Sequence, residues 1–263
     1  MPGIAESEPA SPDPAGRPPA SPDSAGRRFS ARWWVRSADV TRAGLLRFDA
    51  LARYLQDVAA ADVADAGLAP DVAWALRRTT IEVLEPPRLA EPLRLTTRCS
   101  GLGERWAERH TVVEGAGGGH VEATALWVPL DPRSGRPVPL GEAFLGVYAT
   151  AAGGRRVRAR LVSPPSPDPG RRRPWQLRET DFDVLGHVNN SVHLAAAEDE
   201  LHRLGLEGRP GFVEVEYRSP ILGLEPVWVV TSPDSPAGGE ETRLWLSEGT
   251  RTAAAIRMAR FRP

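Results

Sequence analysis

Between Thr180 and Ser191 the chain reads Thr-Asp-Phe-Asp-Val-Leu-Gly-His-Val-Asn-Asn-Ser, its densest run of side chains able to move protons or hold a polarised carbonyl. Asp183 is the candidate base or nucleophile, acting on a carbonyl directly or through a water. His187 and Asn189 are candidates to orient the reactants, and Asn190 to contact substrate. If a helix starts at the asparagines, its first amides lack intrahelical partners and carry the positive end of the helix dipole. Such amides suit a developing oxyanion. A thioester fits this equipment, because a thiol of pKa ~8.5 leaves as thiolate without a strong general acid. An amide would need its amine protonated by a fuller triad.

The elements that must position this run follow from an internal repeat. Arg36, Asp39 and Gly44 recur 142 positions later as Arg178, Asp181 and Gly186. After each glycine comes a helical pattern. Phe48, Leu51, Leu55 and Val58 share one face and Gly67 is a stop; Val192, Ala195, Ala196 and Leu201 follow in the second copy, with Asn190 or Ser191 as cap and Gly205 as stop. Strands are expected at Ile81–Val83, Leu93–Cys99, Trp106–Val113 and Val121–Val128. In the second copy they are expected at Val213–Tyr217, Val227–Thr231, Arg243–Ser247 and Ala253–Phe261. Glu91-Pro92 and Glu225-Pro226 mark matching breaks. Short strands at Trp33–Arg36 and Trp175–Arg178 precede the helices. The fold class is therefore α+β, each half a long helix on an antiparallel sheet, like a homodimer joined into one chain.

Four segments result: a disordered Pro/Ala-rich tail at 1–28, a first domain at 29–139, an Arg/Pro-rich linker at 140–174 and a second domain at 175–263. The linker carries seven arginines between Arg155 and Arg173 and reads as solvated chain, or as a basic patch for an anionic partner.

Repeat logic also sorts the candidates. Asp181 persists as Asp39 and so belongs to the scaffold, whereas Asp183 and His187 are replaced by Thr41 and Leu45 in the first copy. One active site per chain is expected. Glu198, Asp199 and Glu200 read as a solvated helix face, with Glu198 a reserve carboxylate. His193 and His202 have no partners at metal-ligand spacing, and Cys99 reads as core. Trp33, Trp34, Trp74, Trp106 and Trp127 fill core or line a cavity.

The 263 residues are 41% hydrophobic, enough for a substantial core. With 33 basic residues, all arginine, against 34 acidic, the net charge is −1, which gives no global case for nucleic-acid binding. No apolar run approaches the ~20 residues of a membrane span, and the N-terminus has no secretory core. One cysteine excludes an intrachain disulfide and a multi-cysteine metal site, so a cytoplasmic protein is expected.

The run from Arg178 to Asn190, Arg-x-x-Asp-x-Asp-x-x-Gly-His-Val-Asn-Asn, resembles the signature of hotdog-fold thioesterases. The two-copy layout with its site in the second half resembles the acyl-acyl carrier protein thioesterases of bacteria and plants, and Val215-Glu216-Tyr217-Arg218 resembles that family's strand after the helix. The resemblance implies a tandem hotdog that hydrolyses acyl carrier protein thioesters in fatty acid biosynthesis, without metal or cofactor. It implies a monomeric pseudo-dimer or a homodimer. Acyl-coenzyme A or polyketide thioesters are the alternative substrates, and a non-catalytic acyl-thioester binding protein is the alternative class. The chain departs from plant members at Leu185, where they carry asparagine, and at Pro220-Ile221, where they carry Glu-Cys. A cysteine nucleophile is thereby excluded, and the expectation rests on Asp183.

Overall fold

The computed structural model describes residues 26–68, 72–167, 171–205, 210–223, 227–232 and 241–260. In the first half, β1 (Phe29–Trp34) leads through a 3₁₀ turn to α1 (Phe48–Asp65). Strands β2 (Ala73–Glu85), β3 (Pro92–Leu102), β4 (Ala107–Gly115) and β5 (His120–Leu130) follow, and then α2 (Glu142–Ala152). The second half repeats the order with β6 (Arg171–Trp175), a 3₁₀ turn, α3 (Asn190–Arg203), β7 (Pro210–Tyr217), β8 (Val227–Thr231), β9 (Glu241–Glu248) and β10 (Arg251–Arg260).

The ten strands of the described residues form one antiparallel sheet in the order β1-β3-β4-β5-β2-β7-β10-β9-β8-β6. The order is a palindrome about the β2–β7 seam, where Arg78 faces Glu216 and Ile81 faces Val213. Period-2 alternation puts Val213, Val215 and Tyr217 on the helix side, in one core with Leu51, Leu55, Val58, Leu194 and Leu201. α1 and α3 pack on each other over the seam.

The repeat is visible bond by bond. In the first copy Thr41 N–H donates to Leu45 O, Gly44 N–H to Thr41 O and Arg47 N–H to Asp39 O. In the second, Asp183 donates to His187, Gly186 to Asp183 and Asn189 to Asp181. Gly44 and Gly186 have φ of +74° and +72°, a left-handed conformation that glycine adopts without strain. Both copies thus fold into the same closed turn before a helix.

The linker expectation is corrected. Residues 140–174 begin with α2, whose Tyr148 is fully buried, and end in β6. From Arg155 to Pro164 the chain runs as a strap across the sheet face opposite the helices. Trp106 Nε1 donates to Val157 O, Val162 and Ser163 amides donate to Glu216, and Trp245 Nε1 donates to Pro164 O. Gly101 lets it pass, since a Cβ there would lie 2.5 Å from Val157 Cγ1. Glu216, on the outward side of β7, is 0% exposed beneath the strap and also pairs with Arg218 at 3.3 Å. Glu216→Gln keeps one acceptor oxygen and loses the charge, so urea unfolding will show a loss of about 1–2 kcal/mol.

The tail boundary also shifts. Residues 1–25 lie outside the described residues, but Arg27 is held on α1, its Nε 2.7 Å from Asp62 Oδ1 and its Nη2 2.7 Å from Asp65. Glu225-Pro226 and Phe261 lie outside the described residues as well.

Candidate active site

The motif forms the closed turn between the second 3₁₀ turn and α3. Phe182 bridges Val188, and Val188 N–H donates to Ile221 O, tying the turn to the chain after β7. Asp183 Oδ1 accepts from the amides of Leu185 (2.9 Å) and His187 (3.2 Å). In the first copy Thr41 Oγ1 does the same more loosely for Leu45, at 3.4 Å. One Asp183 oxygen therefore shapes the turn, and no hydrogen bond within the described residues engages the other.

Asn189 is the helix cap, a correction to the expectation of Asn190 or Ser191. Its backbone is extended (φ −57°, ψ 137°), and its Oδ1 accepts from Ser191 N (2.9 Å) and Ser191 Oγ (2.8 Å). Asn190 is the first helical residue, so its amide has no intrahelical acceptor. Tyr217 Oη donates to Asn190 O, and buried His193 meets the Tyr217 ring edge-on. His187 is half-buried, and its side chain makes no hydrogen bond among the described residues.

Gln56, mid-way along α1, was missed from sequence. Its Nε2 lies 3.4 Å from Asn189 Oδ1 and 3.3 Å from Ala52 O. It also lines a cavity of about 430 Å³ between α1, the first-half sheet and α2. Its α1 wall continues through Ala59, Ala60, Val63 and Ala64, and the facing walls include Trp74, Trp127, Cys99 and Phe144. The size is that of a small-molecule site. Small side chains at helical spacing open this space, because alanines leave a gap between helix and sheet. Arg109 also lines it, bonded to buried Asp62 at 2.5 Å, and Tyr148 Oη reaches the same carboxylate at 2.9 Å.

Gln56 thus lies between the α3 start, through Asn189, and the apolar cavity that it lines; Asp183 and His187 lie in the turn before that helix start. Residues 26–148 match the model of the acyl-ACP thioesterase N-terminal domain. The first half of the chain thus resembles the N-terminal domain of acyl-ACP thioesterases. The chain is a thioester hydrolase with the tandem hotdog fold. In structure it is similar to the 12:0-ACP thioesterase from Umbellularia californica, with a TM-score of 0.74 at 18% identity over 90% of this chain and 97% of that one. It is likewise similar to an acyl-ACP thioesterase from Bacteroides thetaiotaomicron, with a TM-score of 0.72 at 16% identity over 88% and 97%. In sequence it is 29% identical to an uncharacterized protein of Mycobacterium tuberculosis over 203 residues, 76% of this chain and 81% of that one.

The thioesterase has a second helix start, and it is filled. At α1 the place of Asn189 is taken by Arg47, whose guanidinium bonds Asp49 at 2.8 and 3.1 Å. Glu198, the repeat equivalent of Gln56, accepts from the amides of Phe48 (3.0 Å) and Asp49 (3.3 Å). It is not on a solvated face, as the sequence suggested, because α3 crosses the start of α1 there. Burial raises its carboxyl to about 7, and nearby Asp49 adds to this. Below about pH 4 folded and unfolded states are both protonated at this site. Between about 4.5 and 7 the unfolded chain ionises first, so stability is lost as pH rises. Glu198→Gln will therefore gain stability over the native chain as pH goes from 5 to 8, by on the order of 2 kcal/mol, in denaturant titrations at each pH.

The other candidates fall on the scaffold. Asp181 is 2% exposed and closes on Arg178, accepting its amide at 2.9 Å and its Nη2 at 2.7 Å. Glu200 is 1% exposed, again no solvated residue. Burial alone would raise its carboxyl, but bonds to Arg203, Arg173 and Thr231 outweigh this and hold it at about 2. Asp199 is the exposed member of the triplet. Burial lowers His193 to about 4, keeping it neutral. Trp33 packs on Tyr54, but Trp34 is 53% exposed because strand alternation turns it outward. Among the described residues no group of three His, Cys, Asp or Glu is placed to hold a metal, and no helix is long and apolar enough to cross a membrane.

Proposed function

We propose that the protein hydrolyses a fatty acyl thioester of acyl carrier protein to the free acid and the carrier thiol, at the start of α3. The observation that carries this reading is the continuity from the Asp183 turn through Asn189 and Gln56 into the apolar first-half cavity. The acyl chain lies along Ala59–Ala64 and the carbonyl rests at the α3 start.

The free oxygen of Asp183 takes a proton from water as the water oxygen bonds the carbonyl carbon. The oxyanion so formed is held by the Asn190 amide and the α3 dipole. Collapse breaks the carbon–sulfur bond, and the departing thiolate recovers the proton from Asp183. His187 and Asn189 orient the water and the carbonyl. Both halves contribute within one chain, so one chain completes one site.

Thiol release from short, medium and long acyl thioesters of acyl carrier protein and of coenzyme A tests the proposal. Release from at least one carrier-protein thioester is expected. Tight, saturable binding without release would instead make the protein an acyl-thioester binder.

A further inference from the structure

We propose that the strap between the two halves is the docking surface for an acidic helical face of the carrier protein, read by Arg156, Arg158 and Arg160. This rests on the carrier-protein thioesterase reading above.

From Arg156 to Ser163 exposure alternates along the strap. Arg156, Arg158, Arg160 and Val162 are exposed, while Val157, Ala159, Leu161 and Ser163 are partly covered. The alternation is that of extended chain, in which every second residue points the same way. None of the three arginine side chains makes an ion pair or hydrogen bond among the described residues. Two acids under the strap are already used. Glu108 is bound by Arg155 and Ser100, and Glu216 by two strap amides and Arg218. In a chain of net charge −1, this leaves three unneutralised cations in a row.

Spacing selects the partner. Alternate residues of extended chain are about 6.6 Å apart. Carboxylates four residues apart on a helix are about 6 Å apart along its axis. An acidic helix thus meets the three guanidiniums in register. Val162, 63% exposed at the next outward place, offers an apolar contact at the end of the row. The phosphates of a coenzyme are clustered and do not match a row spread over about 13 Å. The row lies across the sheet from the site and is linked to it through β2 and β7. Arg160 O accepts from Arg78, Arg78 faces Glu216 across the seam, and the adjoining Tyr217 reaches Asn190.

The test compares the native protein with Arg156→Glu/Arg158→Glu/Arg160→Glu, which touches no residue of the site. Decanoyl thioesters of acyl carrier protein, coenzyme A and N-acetylcysteamine are the probes at low ionic strength, with direct binding of the unacylated carrier protein measured alongside. Expected are a fall of at least about 10-fold in kcat/KM and in affinity for the carrier protein, a flatter salt dependence, and N-acetylcysteamine turnover within about 2-fold of native. Carrier-protein values within 2-fold of native would overturn the proposal. So would an equal loss on all three probes, which marks damage to the site, or a loss on coenzyme A as large as on the carrier. If the native protein turns over no thioester, the hydrolysis reading fails, while the binding measurement still decides the docking surface.

Discussion

Asp183→Asn will lower kcat on the preferred acyl thioester by about 10³-fold, with KM and thermal stability nearly unchanged. Asparagine keeps the oxygen that accepts from the Leu185 and His187 amides, so the turn keeps its shape. What it loses is the basic second oxygen. The comparison therefore separates chemistry from folding better than alanine would, since alanine would also release both amides. Steady-state kinetics beside a melting curve checks it. Undiminished turnover would remove Asp183 from the mechanism.

Ala60→Phe will convert the enzyme to one that accepts only short acyl chains. Ala60 lies one helical turn beyond Gln56 on the cavity wall, and Ala64 one turn further. From Gln56 to Ala64 the helix advances about 12 Å. With bonds of about 1.5 Å, an extended alkyl chain advances about 1.25 Å per carbon, so this stretch holds about ten carbons. A phenyl ring placed half-way along it blocks the far part and leaves the Asp183 turn untouched. The expected result is a fall of about 100-fold in kcat/KM for decanoyl thioesters, against a change within about 3-fold for butyryl thioesters. Equal losses on both lengths would place the acyl chain elsewhere.

The parts that were legible in the sequence are those where local geometry dictates residue type. A closed turn that needs a left-handed residue asks for Gly44 and Gly186. Asp181 closes on Arg178 inside its turn, while Asp39, at the same repeat spacing, ties its turn to Arg53 and Tyr54 of α1. Alternation in Val213–Tyr217 revealed a half-buried strand for the same reason. The strap was not legible, because its acceptors and donors, Glu216, Trp106 and Trp245, are distant in sequence, and a Pro/Arg-rich run composed for crossing a sheet looks like solvated chain. α2 was within reach, since Phe144, Val147 and Tyr148 before Gly153-Gly154 make an apolar helical stripe with a glycine stop. Glu198 and Glu200 misled for a different reason. An acidic triplet on a helix normally faces water, and here one member caps a helix from the other half and another binds two arginines. Gln56 had a signal too: its repeat partner is Glu198, so the duplication pairs the middle of each helix with the start of the other.

On the proposed mechanism, acyl thioesters are held with the carbonyl at the start of α3 and the chain in the first-half cavity. A crystal structure with a decanoyl carrier analogue in which a methylene replaces the sulfur tests it most directly. The expected result is the ketone oxygen about 3 Å from the Asn190 amide, Asp183 facing the carbonyl carbon, and the alkyl chain between Ala60 and Trp127. A ketone seated at the start of α1 beside Glu198, or a chain lodged in the second half, would contradict it.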